Sequence, residues 1–168
     1  LTNPQPTYAK STPNDVPNRL GYEDPQTLAF DSIHHRLFIN DATNNRVMVY
    51  NLNTNNTLPD RIPDNVLGQT SFITKTSATT QAGMNSPYGL AYDPTNNRLF
   101  VSQTGNHRVT VYDVASITDG ENAVNVLGQA LFTTGTTSVT QSGFSSPSGI
   151  VVDPVSHLLY VKQSAGNR

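Results

Sequence analysis

Apolar residues in this chain fall in short runs, Leu37-Phe-Ile39, Leu99-Phe-Val101 and Leu158-Leu-Tyr-Val161, each bracketed by clusters of Asn, Asp, Gly, Pro and Thr. Short β-branched or aromatic runs closed by turn formers mark strands, not helices. In the middle of the chain the pattern predicts strands at 88–92, 98–103, 108–114 and 123–127. The first two are joined by Asp93-Pro-Thr-Asn-Asn97, where the carboxylate bonds the following backbone and Asn97 tolerates a left-handed conformation. His35 and His157 hold the Asn97 position elsewhere and serve the same turn. Because the runs are apolar on both faces, without the alternation of a half-wet sheet, each sheet is expected to be covered on both sides.

The pattern recurs with a period of about sixty residues. Pro25, Pro87 and Pro147 share a register that also aligns Asp31 with Asp93 and Asp153, and Arg46 with Arg108 and Arg168. Asn65-Val-Leu-Gly-Gln69 returns as Asn125-Val-Leu-Gly-Gln129, and Tyr22, Met84 and Phe144 each follow a glycine upstream of the proline. Sheets of four antiparallel strands, packed face to face at a fixed period, are the blades of a β-propeller; the coils of a parallel β-helix are far shorter. The expected organisation is all-β. Residues 1–24 form an extended link or the end of a preceding blade, 25–86 the first blade with its loop, 87–146 the second, and 147–168 half of a third. Gly89 and Gly149 recur within it as structural positions. Closed rings take about four to eight blades, so the chain is expected to be a segment of a longer one, or else a subunit whose open blade edge pairs with further copies.

The runs Gly89-Leu-Ala-Tyr-Asp93, Asn97-Arg-Leu-Phe-Val101 and Thr104-Gly-Asn-His-Arg-Val-Thr-Val-Tyr112 resemble the NHL repeat, named for its Asn, His and Leu positions. Asn106 and His107 match the first two, and Val109 stands where the family often has Leu. The resemblance spans residues 20–168, closest in the second unit and looser in the third, where Ala165-Gly-Asn-Arg168 is displaced. The Val-Leu-Gly-Gln element and Thr-rich loops are similar to bacterial secreted NHL-repeat proteins, which implies a place outside the cell or on its surface.

Charged residues make up only 13% of the chain, with net charge −2 and Lys10, Lys75 and Lys162 its lysines. Some NHL propellers bind single-stranded RNA, which needs a basic, aromatic surface; this composition argues against nucleic acid. No apolar stretch approaches the roughly 20 residues of a membrane span, so no membrane insertion is expected. With no cysteine, disulfides and thiol catalysis are excluded.

Propellers bind ligands at the channel end formed by loops entering the innermost strand, here 69–86 and 129–146, and loops joining the second and third strands, 41–45 and 103–107. Asn44, Asn45, Gln103, Asn106 and His107 are therefore the binding-face candidates. Phe72 and Phe132, at matching positions in the long loops, are expected to fill gaps between blades. Asp31, Asp93 and Asp153 occupy equivalent positions and do not converge as an acid–base pair must, so they are read as turn caps. Arg46, Arg108 and Arg168 are read as repeated bonds to a carbonyl or Asp. His34, His35, His107 and His157 lack the convergence of a zinc site, and neither Asp41-Ala-Thr-Asn-Asn45 nor Asp119-Gly-Glu-Asn122 fits a calcium loop. Asn55-Asn-Thr57 matches a glycosylation acceptor, a motif that arises freely in such loops. No phosphate loop, dinucleotide fingerprint or nucleophile elbow is found, so no cofactor or metal is expected. The reading is a non-catalytic binding or scaffold module for protein or glycan contacts. The alternatives are a lactonase-like or amidating-lyase-like enzyme with metal ligands in other blades, and a structural subunit of a larger assembly.

Overall fold

The structure is a computed structural model and describes residues 17–164. Arg168 and most of the expected N-terminal link lie outside the described residues. Among those described there are strands and no helix. One antiparallel sheet holds β1 (Leu28–Asp31), β2 (Arg36–Asp41), β3 (Arg46–Asn51) and β4 (Asn65–Leu67) in chain order. The same order recurs in β5 (Pro87–Asp93), β6 (Arg98–Gln103), β7 (Arg108–Asp113) and β8 (Asn125–Leu127), and β9 (Pro147–Val152) pairs with β10 (Leu159–Gln163). The fold is thus all-β, with four-stranded antiparallel blades. β8 starts later than the pattern predicts, because the N–H of Ala123 turns away to the carbonyl of Gln81 at 3.0 Å.

The hairpins follow from turn chemistry. Asp31 Oδ1 accepts from the N–H groups of Ile33 (3.1 Å) and His34 (2.9 Å), and the carboxylates of Asp93 and Asp153 accept from Thr95 and Val155, both at 3.0 Å. The turn closes on a residue with positive φ, His35 (58°), Asn97 (54°) or His157 (57°).

Successive sheets pack face to face. Ala29, Phe38, Val47, Val49 and Leu67 of the first blade form one buried cluster with Leu90, Leu99, Val101 and Tyr112 of the second. Each large side chain so buried contributes about 1.5–3 kcal/mol. The opposite face of the first blade carries Met48, Tyr50 and Val66, with Tyr22 and Phe72 packed on them. Phe72 thus rests on the outer face of its blade, whereas Phe132 packs against the cluster between the first two blades.

Polar bonds lock the inner strands. Asn40 Nδ2 donates to the carbonyls of Pro87 (2.9 Å) and Tyr88 (2.6 Å), and Ser102 Oγ donates to Ser148 O at 2.6 Å. β5 bulges between Pro87 and Leu90, and there Gly89 N donates to Ser102 Oγ at 2.7 Å. On the outside, Asp119 Oδ1 accepts from Val66 N at 3.0 Å and Gly120 N donates to Val66 O at 2.9 Å, so a loop of the second blade covers the edge of β4. This answers the hazard of an open strand edge.

A Cβ at Gly89 would collide with the carbonyl oxygen of Ser148 on the next blade. Gly89→Ala is expected to lower stability by about 1–3 kcal/mol through overpacking. Urea denaturation of the variant beside the parent chain checks this.

Candidate functional site

The loops between blades and the β2–β3 and β6–β7 turns meet at one end of the sheets, and the five binding-face candidates lie there. Asn44, Asn45, Gln103 and Asn106 are buried and His107 is half-buried. Asn106 Nδ2 donates to Ala78 O and Gln103 Oε1, both at 2.8 Å, and Asn106 Oδ1 accepts from Thr79 Oγ1 at 2.8 Å. Asn44 donates to Asp41 Oδ2 at 2.7 Å, while its own Oδ1 is buried without a partner among the described residues. In the same register Pro17 stands where Thr79 supplies its hydroxyl.

Asn45 and His107 play matching parts. Asn45 Oδ1 accepts from Ser86 N at 2.9 Å, and His107 Nδ1 accepts from Ser146 N at 3.0 Å. Each ties its turn to the entry of the next blade, at a serine held at φ 49°. Accepting at Nδ1, the His107 ring carries its N–H on Nε2 in this contact.

Two arginines organise the rest. Arg46 Nε donates to Asp41 Oδ2 (3.0 Å), one terminal nitrogen to Phe72 O (2.7 Å), and the other to Asn18 O (3.2 Å) and Gly21 O (2.8 Å). Arg108 repeats this with Gln103 Oε1 (3.2 Å), Phe132 O, Thr80 O (2.8 Å) and Gly83 O (2.9 Å). Burial pushes the Arg108 pKa down, with Tyr112 opposing.

The Val-Leu-Gly-Gln marker also has a mechanical reading. Gly68 (φ 86°) and Gly128 (φ 85°) take a left-handed turn that a side chain would strain. Gln69 Nε2 then donates to Asn45 O and Thr76 O, both at 2.9 Å, and Gln129 Nε2 to His107 O (3.0 Å) and Thr136 O (2.7 Å). Around these staples lie two cavities in the same register. One, of about 230 Å³, is lined by Gly68, Gln69, Thr70, Thr76, Thr80 and their neighbours; the other, of about 370 Å³, by Gly128, Gln129, Thr136, Ser138, Thr140, Ser142 and theirs.

At the opposite end, a cluster that the pattern of residues did not single out joins the first two blades. Arg36 donates to Asp31 Oδ2 through Nε (2.8 Å) and a terminal nitrogen (2.6 Å), and to Tyr92 OH (3.1 Å), Asn97 Oδ1 and Val114 O. His34 Nδ1 lies 3.0 Å from Tyr92 OH. Burial raises Tyr92 to about 12. Burial works against ionisation of Asp31 as well, but the bonds from His34 N, Arg36 and Tyr92 outweigh it and hold the carboxyl below its usual range. A polar Arg directly after a hairpin turn is the one sequence signal for this joint. Among the described residues no three His, Cys, Asp or Glu side chains gather to hold a metal ion.

Sheets in chain order, packed blade on blade through their first strands, have counterparts among solved structures. The fold is a partial β-propeller. It is similar to Kuenenia stuttgartiensis hydrazine synthase (TM-score 0.57, 17% identity, 96% of this chain and 32% of that one). It is similar too to a chain of the nidogen/laminin complex (TM-score 0.53, 20% identity, 84% and 40%). A putative phosphatase from Bacteroides thetaiotaomicron VPI-5482 shares it as well (TM-score 0.60, 12% identity, 84% and 32%). No family model matches the chain. Among curated proteins, NHL repeat-containing protein 2 of Gallus gallus is 26% identical over 159 residues, covering 88% of this chain. The chain spans 20% of that relative's length. These likenesses support a propeller of NHL-type repeats.

Two outcomes are expected of these contacts. His107→Asn, which keeps an acceptor as Asn45 does, is expected to stay within a few tenths of a kcal/mol of the parent, and His107→Ala to lose about 1–2 kcal/mol by leaving Ser146 N unpaired. Chemical denaturation of both variants decides. For Asp31, a folded pKa below the unfolded value of about 3.9 gives stability that is complete above that value and is lost as pH falls through the folded one. Asp31→Asn is expected to be less stable at pH 7 and to show a shallower loss below about pH 4, read from denaturation midpoints across the acid range.

Proposed function

We propose that this chain is a rigid, non-catalytic interaction module, displayed outside the cell or on its surface, that takes protein or glycan ligands on the loops between its blades. The observation that carries this reading is the pair of loop cavities in one register, whose rims hold exposed Thr70, Thr76 and Thr136. Successive blades present Thr76 and Thr136, and Thr80 and Thr140, at matching rim positions, which suits a ligand that repeats, such as a glycan chain or an extended peptide. Coming from equivalent positions, the two surfaces act as two weak sites joined by a stiff spacer. The fold itself does not choose between binding and catalysis, since one fold carries many functions.

The test pairs a glycan and peptide array with the double variant Thr76→Val, Thr136→Val. Binding that drops at least tenfold in the variant, with denaturation unchanged, supports the reading. Binding left untouched, or turnover of a lactone, ester or peptidyl substrate by the chain, overturns it.

A further inference from the structure

The connection between β3 and β4, residues 52–64, carries a turn that the second blade lacks. Asn55 Oδ1 accepts from Thr57 N at 3.2 Å and from Thr57 Oγ1 at 2.6 Å, the side-chain turn by which asparagine bonds backbone two residues on. Asn53 closes the loop from the other side: its N–H donates to Thr57 O at 2.9 Å and its Nδ2 to Thr57 Oγ1 at 3.1 Å. Asn56, between them, takes the left-handed conformation at φ 62°. Its Nδ2 donates to Ser32 O at 3.3 Å and its Oδ1 lies 2.6 Å from His35 Nδ1. Anchored in this way on the β1–β2 hairpin, the half-buried Asn56 leaves Asn55 and Thr57 exposed on either side of it. The Asn55 carboxamide is held through its oxygen, and among the described residues its Nδ2 is not engaged.

The matching connection of the second blade, 114–124, starts alike, with Val114 N on Asn97 O where Leu52 N meets His35 O. It then departs, and Thr118 N donates to Glu121 Oε2 at 2.9 Å. Side chains that the blades require recur in both units, as Arg46 and Arg108 do. Asn55 and Thr57 do not recur, so the blade plan does not demand them.

We propose that Asn55 is an acceptor for an N-linked oligosaccharide. Asn55-Asn-Thr57 has the acceptor pattern, and no other asparagine from Asn3 to Asn125 is followed in that way. A transferase that reads the amide and the hydroxyl two residues on meets both on one exposed turn. The donor is a lipid-linked oligosaccharyl diphosphate. Asn55 Nδ2 forms the bond to the anomeric carbon while the bond from that carbon to the diphosphate oxygen breaks. The electron pair leaves with the lipid diphosphate, and the proton lost from Nδ2 passes to a base of the transferase. A bulky glycan suits this place, because the turn stands at the hairpin end of the blade, away from the loop cavities. The inference rests on the reading above only for its setting outside the cell.

The full chain behind a secretion signal is made in a eukaryotic secretory host and weighed intact, before and after the amidase that cuts the bond between asparagine and glycan. A mass increase of one oligosaccharide, removed by the amidase, is expected. Asn55→Gln and Thr57→Ala are each expected to lower occupancy at least tenfold, and Thr57→Ser to retain it, with denaturation midpoints showing that all three fold. Secretion of an unmodified chain overturns the inference, as does a glycan that survives Asn55→Gln or Thr57→Ala. Should secretion fail, the purified chain is given to solubilised transferase with the lipid-linked donor, where no mass increase overturns it equally. Ligand binding on the array is expected to be the same for Asn55→Gln and the parent, so the two readings fail separately.

Discussion

Each complete blade is held by a buried arginine at the first residue of its third strand. Arg46 and Arg108 have no exposed surface, and each gathers backbone from the loop ahead of its blade and the loop behind it. Long segments without regular structure need some such anchor, because their carbonyls otherwise stay in water. The planar guanidinium suits this role because its donors point outward in a fixed fork, so one side chain serves several carbonyls in different directions. A lysine would offer one point charge on a flexible stem. Removing a guanidinium from water costs several kcal/mol, and the two blades offset that cost differently. Arg46 meets the Asp41 carboxylate at 3.0 Å, whereas Arg108 has Gln103 and backbone carbonyls as its partners, and burial depresses its pKa.

Register was legible in the sequence; orientation was not. A repeat of about sixty residues is enough to place Asp31, Asp93 and Asp153 in turns and Arg46 and Arg108 in structural bonds, because the chemistry of those positions is local or shared by every copy. The repeat puts Asn44, Asn45, Gln103, Asn106 and His107 on the loop end where a ligand would sit, yet their polar atoms turn inward to Asp41, Ser86, Asn85, Ala78 and Ser146. Alignment of repeats shows that a polar residue recurs and is silent on which side of the loop it points. Nor do equivalent positions always act alike. Arg36 crosses to the next blade because that blade offers Tyr92 and Asn97. Arg98, facing Val152 and His157 in the same places, instead pairs with Asp113 of its own blade at 2.5 Å.

The inner joints show how two positions compensate. Asn40 has the longer reach, and the residue beside it, Thr27, keeps a side chain that adds its own bond to Tyr88 O. Ser102 is shorter by one heavy-atom bond, and the residue beside it is Gly89. With no Cβ at 89, the strands approach until the serine hydroxyl spans the gap while accepting from Gly89 N. At these two joints the shorter donor goes with the smaller inner-strand residue, a relation invisible in either position taken singly.

That economy bears on where recognition can reside. The side chains best placed to face a ligand at the loop end are already engaged in holding blades together, and withdrawing one leaves a buried donor or acceptor unpaired at a cost of about 1–3 kcal/mol. A propeller built this way cannot change its ligand by altering Asn106 or Arg108 without loosening a joint. The loop rims are free of that constraint: Thr70 and Ala130 hold one register position, and Ala78 and Ser138 another, with the Gln69 and Gln129 staples unchanged beneath them. Under the interaction role proposed above, these rim positions, which vary over an unchanged frame, are where partner selection would be placed.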